Sequence, residues 1–577
     1  MKVADYIAEF LAEKQVPAVY ELVGGMITFL VDSLHRHGQT KIISMHHEQG
    51  AAFAAEGAGR MTGIPGVAMA TSGPGATNLL TGIGSCYFDS TPAVFITGQV
   101  NRFERKGSRD IRQLGFQETN IVEMVHPIVK RAWSVEEPEQ IVAILEEAFQ
   151  LATSGRPGPV LIDIPMDVQR ADIDPEACPR FTSTSAKAST MTLTDAQSIR
   201  DALLRAKRPL ILAGGGIQSA HALGSFHELV NIIQVPVVHS LMAVDALPWN
   251  HPMNAGMIGS YGNRWSNLAI SEADLLLVLG SRLDVRQTGS DTEGFKGDRE
   301  IFHIDCEAGE INNRIHGCHA IVSDLNPAIE MLIETLKPAS AELKNHFTTW
   351  VDSIDVLRRE WPDINELQDI EGINPNKAMH QLSQANRNAS AFVVDVGQHQ
   401  MWAAQSLEMQ PGQRFLTSGG MGSMGFGLPA AIGAAIATPN SPVIMIAGDG
   451  SFQCNIQELQ TVARLGLNLK MVVINNECHG MVRQFQQSYF EGRYQSTMWG
   501  YSAPNFEAVA AAYGIAARTV EDPTGVDDAV AWQAAQTGPS LLQVMISPLA
   551  NAYPKLAFGK GMASMEPHVL SEEMEAT

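Results

Sequence analysis

Short apolar runs alternate with helical stretches along most of the chain. The apolar run over 443–448 ends in a Gly-Asp-Gly turn, which predicts a buried strand with a carboxylate at its carboxyl end. Residues 451–466 carry apolar positions at helical spacing and stop at Gly466, which predicts a helix. Residues 467–476 form a second apolar run that ends in two asparagines, which predicts the next strand.

The same alternation recurs in three long blocks. Strand patterns that are each followed by a helical pattern predict a parallel sheet covered by helices. We therefore predict an α/β protein with three doubly wound parallel-sheet domains. The stretch 174–192 is polar and contains Pro, Ser and Thr, which predicts a linker. The predicted domains and the C-terminal tail span 1–173, 193–336, 374–549 and 550–577.

Composition narrows the class of protein. The chain has 577 residues, a hydrophobic content of 45% and a formal net charge of −22, which argues against a nucleic-acid or acidic-membrane partner. Neither a signal peptide nor an apolar run of membrane-spanning length is evident. Six scattered cysteines without a Cys-x-x-Cys pair argue against disulfides or a zinc site. We expect a cytoplasmic protein that contacts neither nucleic acid nor membrane.

Two polar side chains end neighbouring predicted strands. Asp449 and Asn476 can meet at one edge of a parallel sheet, where α/β proteins bind ligands. Their oxygens, with a backbone carbonyl, suit Mg²⁺, and the helix that starts near Ser451 offers N–H groups to a phosphate. The simpler interpretation is that Gly-Asp-Gly is a turn and Asn-Asn the start of a loop. The separation of the two motifs by a helix and a strand favours the metal site.

Three further motifs are ambiguous when taken alone. Glu48 begins an Ala/Gly-rich helix, either as a buried functional carboxylate or as an acid stabilised by the helix dipole. The turn over 70–78 is a phosphate loop or a structural turn, and it lacks the Gly-Lys-Ser/Thr of a Walker motif. The Gly-rich stretch over 419–435 permits close approach of a ligand, with Met424 as a contact or as ordinary core.

Taken in order, these motifs resemble the large catalytic subunit of the acetolactate (acetohydroxyacid) synthase family and its close relatives that depend on thiamine diphosphate. The resemblance covers nearly the whole chain. It rests on HEQGAAFAAEGAGRMTG, ATSGPGATNLLTGI, DSTPAVFITGQV, GFQET, VGQHQMWAAQ, GGMGSMGFGLPAAIGAA, GDGSFQCNIQEL and NNECHGMVRQ.

The resemblance implies an N-terminal pyrimidine-binding domain, a central domain of the FAD type and a C-terminal domain that binds diphosphate and Mg²⁺. It implies that Glu48 bonds the cofactor pyrimidine, that Met424 keeps the cofactor bent and that the Gly422 carbonyl accepts from its amino group. The implied magnesium ligands are Asp449, Asn476 and the carbonyl of Cys478. The implied diphosphate and pocket contacts are Gln398, His399, Gly450, Ser451, Met481 and Val482.

Positions that face the substrate follow the family less closely. Gly25, Gln117 and Lys130 match its pocket positions, which implies catalytic roles for them. Residues 22–25 read Leu-Val-Gly-Gly where the family has a tyrosine-proline-glycine-glycine turn, and Phe485 stands where it has an acceptor-selecting tryptophan. The donor, pyruvate, is therefore better supported than the acceptor.

The central block resembles the family's FAD-binding domain. Arg282 and Arg286 are expected to meet the FAD phosphates, and Asp305 and Asp324 its ribose and adenine side. The alternative is a structural domain that has lost the cofactor, in which these residues form surface ion pairs.

The implied function is decarboxylation of pyruvate and ligation of the two-carbon unit to a second 2-keto acid. Two alternatives stay open: a specialised carboligase that acts on a ketone, aldehyde or keto sugar, and a decarboxylase or lyase of another 2-oxo acid or acyl-CoA. Since Glu48 lies in the first block and the metal ligands in the third, the resemblance implies a homodimer or homotetramer. A regulatory small subunit is a further possible partner.

Overall fold

The computed structural model describes residues 1–182 and 190–568. The predicted linker and tail therefore lie partly outside the described residues, at 183–189 and 569–577. No helix in the described part of the chain is long and apolar enough to cross a membrane.

The first domain is a six-stranded parallel sheet with helices on both faces. Its strands follow the order β2-β1-β3-β4-β6-β5. The strands are β1 (Ala18–Leu22), β2 (Lys41–Ser44), β3 (Gly66–Ala70), β4 (Ala93–Gln99), β5 (Arg131–Ser134) and β6 (Pro159–Pro165). The helices are α1 (Val3–Glu13), α2 (Thr28–His37), α3 (Glu48–Thr62), α4 (Pro74–Asn78), α5 (Leu80–Phe88), α6 (Ile121–Val125), α7 (Ile141–Thr153) and α8 (Met166–Gln169).

The central domain has a second six-stranded parallel sheet, in the order β12-β11-β10-β7-β8-β9. Its strands are β7 (Pro209–Ala213), β8 (Val237–His239), β9 (Asn254–Met257), β10 (Leu275–Leu279), β11 (Glu300–Asp305) and β12 (His319–Val322). Its helices are α9 (Leu193–Arg205), α10 (Gly216–Ser219), α11 (Leu223–Ile233), α12 (Arg264–Glu272), α13 (Val285–Thr288), α14 (Thr292–Lys296) and α15 (Leu325–Leu336). Two helices, α16 (Ser340–His346) and α17 (Thr348–Glu360), lead to the third domain.

The third domain has the sheet order β14-β13-β15-β16-β18-β17. Its strands are β13 (Ala391–Val394), β14 (Arg414–Thr417), β15 (Val443–Gly448), β16 (Leu469–Asn475), β17 (Ala516–Val520) and β18 (Ser540–Met545). Its helices are α18 (Pro375–Ala385), α19 (Gln398–Ser406), α20 (Gly427–Ala437), α21 (Asp449–Gln453), α22 (Leu459–Leu465), α23 (Gly480–Tyr489), α24 (Phe506–Ala512) and α25 (Val526–Ala534). A two-stranded ribbon, β19 (Lys555–Leu556) and β20 (Met565–Glu566), follows it and returns to the central domain through a bond from Leu556 N–H to Ser260 O.

These three parallel sheets confirm the predicted fold class. The single helix predicted over 451–466 is broken, because α21 and α22 are separated at Asn455. The Asn455 side chain donates to the Gly425 carbonyl at 2.8 Å, which ties the chain to another loop instead of continuing the helix. Gly466 ends α22 with φ of +57°, as predicted.

The first and third domains pack through two crossing helices, α3 and α20. The crossing is close because both helices present glycine there. A Cβ added to Gly57 would lie 2.1 Å from the Ala430 carbonyl oxygen, and one added to Gly433 would lie 1.9 Å from that of Ala54. One apolar core consequently runs from the first sheet into the third.

Candidate functional site

The carboxyl edge of the third sheet brings three oxygens together. β15 and β16 are adjacent and parallel, so Asp449 and Asn476, which follow them, become neighbours. The outer atom of the Asn476 amide that faces this edge lies 3.1 Å from Asp449 Oδ1 and 2.8 Å from the carbonyl oxygen of Cys478.

A chain of hydrogen bonds identifies that atom as the amide oxygen. Gln398 Nε2 donates to the Ala550 carbonyl at 3.0 Å and to Gln484 Oε1 at 3.2 Å, which points Gln398 Oε1 at Asn476. Asn476 Nδ2 donates to that oxygen at 3.1 Å. Asn476 Oδ1 must then face Asp449 and the Cys478 carbonyl, although turning the amide over would give it donors to both.

These three oxygens face one another at short range, with the Cys478 N–H as a long-range donor to Asn476 Oδ1 at 3.3 Å, so a cation among them would relieve their mutual repulsion. One carboxylate, one amide and one backbone carbonyl form the oxygen set that Mg²⁺ takes in proteins, with phosphate and water completing its shell. Burial raises the pKa of Asp449 to about 6, against the opposing hydrogen bond from Tyr501 Oη at 2.8 Å. The described residues contain no set of three His, Cys, Asp or Glu side chains that could hold a metal, and the chemistry of the mixed oxygen set fits Mg²⁺.

A pocket of about 370 Å³ opens beside the three oxygens, and we call it the diphosphate pocket. Its lining includes every predicted ligand of the metal and most predicted cofactor contacts: Gln398, His399, Met424, Asp449, Gly450, Ser451, Asn476, Cys478, Met481 and Val482. Gly422 is two residues from Met424, with φ of +69° and no described atom within 4 Å of an added Cβ.

His399 supplies a buried donor or acceptor that the protein itself leaves unused. Its Nε2 has no hydrogen-bond partner among the described residues, and burial lowers the pKa of His399 to about 3. A neutral imidazole that lines the pocket with a free ring nitrogen fits a polar ligand such as a diphosphate. No Lys or Arg side chain lines this pocket in the ranges 1–182 and 190–568.

Glu48 lies at the carboxyl edge of the first sheet, where α3 begins after β2. It is buried, 6% exposed, and its Oε2 accepts from Asn78 Nδ2 at 2.9 Å. Gln117 packs against the turn over 70–78, which also carries Asn78, since a Cβ added to Gly73 would lie 2.9 Å from the Gln117 Cβ. Gly25, which follows β1, has open space in front of it. These predicted residues share one edge, but none of them lines the diphosphate pocket of the same chain.

Lys130 does not join them. It precedes β5 and therefore lies at the amino edge of the first sheet, opposite to Glu48. Its Nζ donates to the carbonyl oxygens of Ser154 at 2.6 Å and Arg156 at 2.9 Å, and burial lowers the pKa of Lys130 to about 8. In this chain Lys130 fastens the turn after α7, and its catalytic role stays a prediction.

A second cavity, of about 480 Å³, lies where the strand order of the central sheet reverses between β10 and β7. Doubly wound sheets bind nucleotides at such switch points. We call it the nucleotide cavity. Its lining includes all four predicted FAD contacts: Arg282, Arg286, Asp305 and Asp324.

The central domain contributes a glycine cradle to this cavity. A Cβ added to Gly214 would lie 2.0 Å from the Gly280 carbonyl oxygen, so the backbones meet too closely for side chains. Gln218 lines the cavity, and its buried Nε2 has no partner among the described residues. Burial raises the pKa of Asp305. The cavity, the cradle and the free amide fit a dinucleotide such as FAD.

Three family descriptions match the chain in the order of its domains. They are "Thiamine pyrophosphate enzyme, N-terminal TPP binding domain" over 1–124, "central domain" over 196–332 and "C-terminal TPP binding domain" over 395–544. The acetolactate synthase large subunit of Cyanidium caldarium is 36% identical over 97% of this chain and 95% of its own length. That of Lactococcus lactis is 36% identical over 96% and 94%, and the isozyme 2 large subunit of Escherichia coli is 37% identical over 98% and 99%.

The chain belongs to the acetolactate synthase large-subunit family of thiamine pyrophosphate enzymes. This confirms the resemblance drawn from the sequence motifs.

Some residues that line the two cavities were not predicted from the sequence. His479 lines the diphosphate pocket and packs against Tyr501 with the two rings tilted and their centroids 4.4 Å apart. Its signal was present, because it directly follows Cys478 in the NNECHG motif. The pocket residues 495–497 and Arg156 come from segments outside the quoted motifs, whereas Arg60 and Asp89 lie inside two of those motifs but were not assigned to a cavity.

Proposed function

We propose that this protein uses thiamine diphosphate and Mg²⁺ to decarboxylate pyruvate and to join the two-carbon unit to a second 2-keto acid. As a member of its family it is a thiamine-diphosphate-dependent carboligase. The observation that carries the proposal is the convergence of the Asp449, Asn476 and Cys478 oxygens beside the diphosphate pocket. Thiamine diphosphate, when bound, supplies the electron sink that the decarboxylation needs.

The chain's own residues would hold the metal and the cofactor in place and exchange a proton with the cofactor. Asp449, Asn476 and the Cys478 carbonyl would hold Mg²⁺, and His399 would meet a phosphate oxygen through its free nitrogen. Glu48, fixed by Asn78, would exchange a proton with the cofactor pyrimidine. Glu48 itself is buried at the start of α3.

We further propose that two copies of the chain complete each site. Glu48 and the oxygen set lie at the edges of different sheets, and the diphosphate pocket has no acid from the first domain of the same chain. A second copy that brings its first-domain edge to this pocket would supply Glu48. A homodimer or homotetramer is the expected assembly. The similar proteins are named large subunits, which supports a small-subunit partner for this chain as well.

A specific feature favours a second candidate acceptor. Phe485 lies one helical turn beyond Met481 on α23 and is 53% exposed. A ketone or aldehyde acceptor fits these third-domain surroundings, so the specialised carboligase is kept as the second candidate.

Product analysis tests both candidates. The purified protein, with thiamine diphosphate, Mg²⁺ and FAD, is incubated with pyruvate alone and with added 2-ketobutyrate, aldehydes or ketones. We expect consumption of pyruvate and formation of acetolactate. A product that forms preferentially from an aldehyde or ketone would select the second candidate. If pyruvate is not consumed under any condition, the proposed donor is wrong.

A further inference from the structure

One loop belongs to the walls of both cavities. Residues 419–424, here called the bridging loop, follow β14 and precede α20. Gly419 and Gly420, at its start, line the nucleotide cavity. Met424, at its end, lines the diphosphate pocket. Six residues therefore connect the place predicted for FAD with the place predicted for thiamine diphosphate.

The start of the bridging loop is held by a side chain of the first domain. Asp89 accepts from Gly419 N–H through Oδ2 at 3.1 Å and from Gly420 N–H through Oδ1 at 2.6 Å. Asp89 also lines the nucleotide cavity. Two consecutive backbone donors on one carboxylate fix both the position and the direction of the chain at this point.

Arg60 makes this attachment stiff. Its guanidinium lies 3.0 Å from Asp89 Oδ2 and donates to the Thr417 carbonyl, two residues before the loop, at 2.6 Å. Arg60 is largely buried and lines the nucleotide cavity together with Asp89. The nucleotide cavity thus touches both groups that hold the start of the loop.

The remainder of the loop has one further internal attachment, from Ser423 N–H to Ser418 Oγ at 3.1 Å. Its far side is fixed beyond Met424, where Asp395 accepts from the N–H groups of Gly425 at 3.0 Å and Gly427 at 2.8 Å. Between the two attachments, Met421 is 43% exposed and Met424 39% exposed. A shift at the start of the loop would therefore have to be absorbed between these two attachments, in the segment that includes Met424.

We propose that Asp89 is a positioning residue that couples the two cavities, so that FAD and thiamine diphosphate strengthen each other's binding. The inference rests on the proposed function, which assigns these ligands. A dinucleotide against Asp89 and Gly420 restrains the bridging loop before thiamine diphosphate meets Met424. The second ligand then bears less of the ordering cost, and the coupling is reciprocal by linkage. This gives FAD a task in a reaction without net redox change.

The test measures binding rather than turnover. Protein stripped of both cofactors is titrated with thiamine diphosphate and Mg²⁺ by calorimetry, with and without FAD. We expect FAD to tighten thiamine diphosphate binding about 5- to 150-fold, the usual range of allosteric coupling. Thiamine diphosphate should tighten FAD binding by the same factor. In Asp89→Asn this factor should fall close to one, and Asp89→Glu should restore part of it.

Asp274→Asn is the matched control. Asp274 also accepts from two consecutive backbone N–H groups, those of Lys207 at 2.8 Å and Arg208 at 2.9 Å, but these lie within the central domain. We expect the control to keep the full coupling factor. If Asp89→Asn does not fold, Gly420→Ala replaces it, because the added Cβ would lie 3.0 Å from Asp89 Oδ1 and displace the loop.

Three results would overturn the inference. They are no FAD binding, equal thiamine diphosphate affinity with and without FAD, or a full coupling factor in both Asp89→Asn and Gly420→Ala. Pyruvate consumption by the parent protein with both cofactors present is measured separately. Turnover without coupling would refute the role of Asp89 and leave the proposed function standing. Coupling without consumption of pyruvate would support the role of Asp89 and refute the proposed function.

Discussion

In the first domain the strands run β2-β1-β3-β4-β6-β5, and in the third they run β14-β13-β15-β16-β18-β17. Counted from the first strand of each domain, the two orders are identical. The central sheet follows a different order, that of a dinucleotide-binding fold. The loops that follow the strands are therefore arranged in the same way at the carboxyl edges of the first and third sheets.

Their edges nevertheless carry different chemistry. At each edge a buried carboxylate accepts from a neutral side-chain donor: Glu48 from Asn78 at 2.9 Å, and Asp449 from Tyr501 at 2.8 Å. Around Asp449 there are further oxygens and a pocket. Glu48 instead has the small residues of a Gly-rich turn, with a Cβ on Gly75 reaching 3.2 Å from its Oε1. On the proposed function, the same sheet order would provide a metal clamp in the third domain and a proton-handling group in the first.

The largest effect is expected for Glu48→Gln. Glutamine keeps the shape and can still accept from Asn78, but it no longer exchanges a proton. We expect kcat to fall by about 10²- to 10⁴-fold, the usual contribution of general acid–base catalysis. Steady-state kinetics and calorimetric titration with thiamine diphosphate check this together, since cofactor affinity should stay within a few-fold of the parent value.

Glu147→Gln serves as the control, because Glu147 pairs with Arg131 on the surface of the same domain. Its turnover should match that of the parent. Undiminished turnover in Glu48→Gln with the cofactor bound would remove Glu48 from the chemistry and erase the proposed difference between the two edges.

Asp449→Asn is expected to lose activity because it binds Mg²⁺ more weakly, not because a proton transfer is lost. Loss of an outer partner of a metal ligand already costs about 10- to 100-fold in metal affinity, so loss of the ligand charge should cost at least as much. Activity should return in part at high Mg²⁺ concentration, whereas Glu48→Gln should show no such recovery. Activity titrated against Mg²⁺ in both variants measures this contrast. Equal responses to Mg²⁺ would contradict the division into clamp and acid.

The sheets and the proximity of Asp449 to Asn476 were predictable from the sequence for a physical reason. Strands of a parallel sheet are buried on both faces and form continuous apolar runs, such as 443–448 and 469–475. Asp449 and Asn476 end two adjacent strands, so sheet geometry alone brings them together. The break at Asn455 was not predictable, since helical spacing does not reveal a side chain that bonds the Gly425 carbonyl.

Contacts between distant segments account for the rest. Asp89 meets Gly419 and Gly420 across more than three hundred residues, and no spacing or periodicity marks such a meeting. Lys130 shows the limit of matching a family position. It matched a family pocket position, but the start of β5 places it at the amino edge, where two carbonyls occupy its Nζ.

The junction between the two compared domains should tolerate little added volume. In Gly57→Ala the new Cβ would lie 2.1 Å from the Ala430 carbonyl oxygen, which forces α3 and α20 apart. We expect a loss of about 1–3 kcal/mol in the free energy of unfolding, as for other overpacked cores. Thermal melts check this against Gly224→Ala on α11, where no described atom lies within 4 Å of the added Cβ. An unchanged midpoint in Gly57→Ala would show that the helices are not in close contact.

The smallest effect is expected for Tyr501→Phe, which removes the hydroxyl group that donates to Asp449. The ring that contacts His479 stays, but Asp449 loses a hydrogen bond that lowers its pKa, so burial raises that pKa further. A carboxylate that holds its proton more tightly binds Mg²⁺ more weakly, by about 10-fold for an outer partner. Mg²⁺ titrations at neutral pH measure this, with Tyr494→Phe in the same loop as the control. At saturating Mg²⁺ kcat should equal the parent value, because Tyr501 supports the ligand and takes no part in proton transfer. A kcat that stays low would instead place Tyr501 beside Glu48 as a second acid–base group, and the two edges would no longer divide clamp from chemistry.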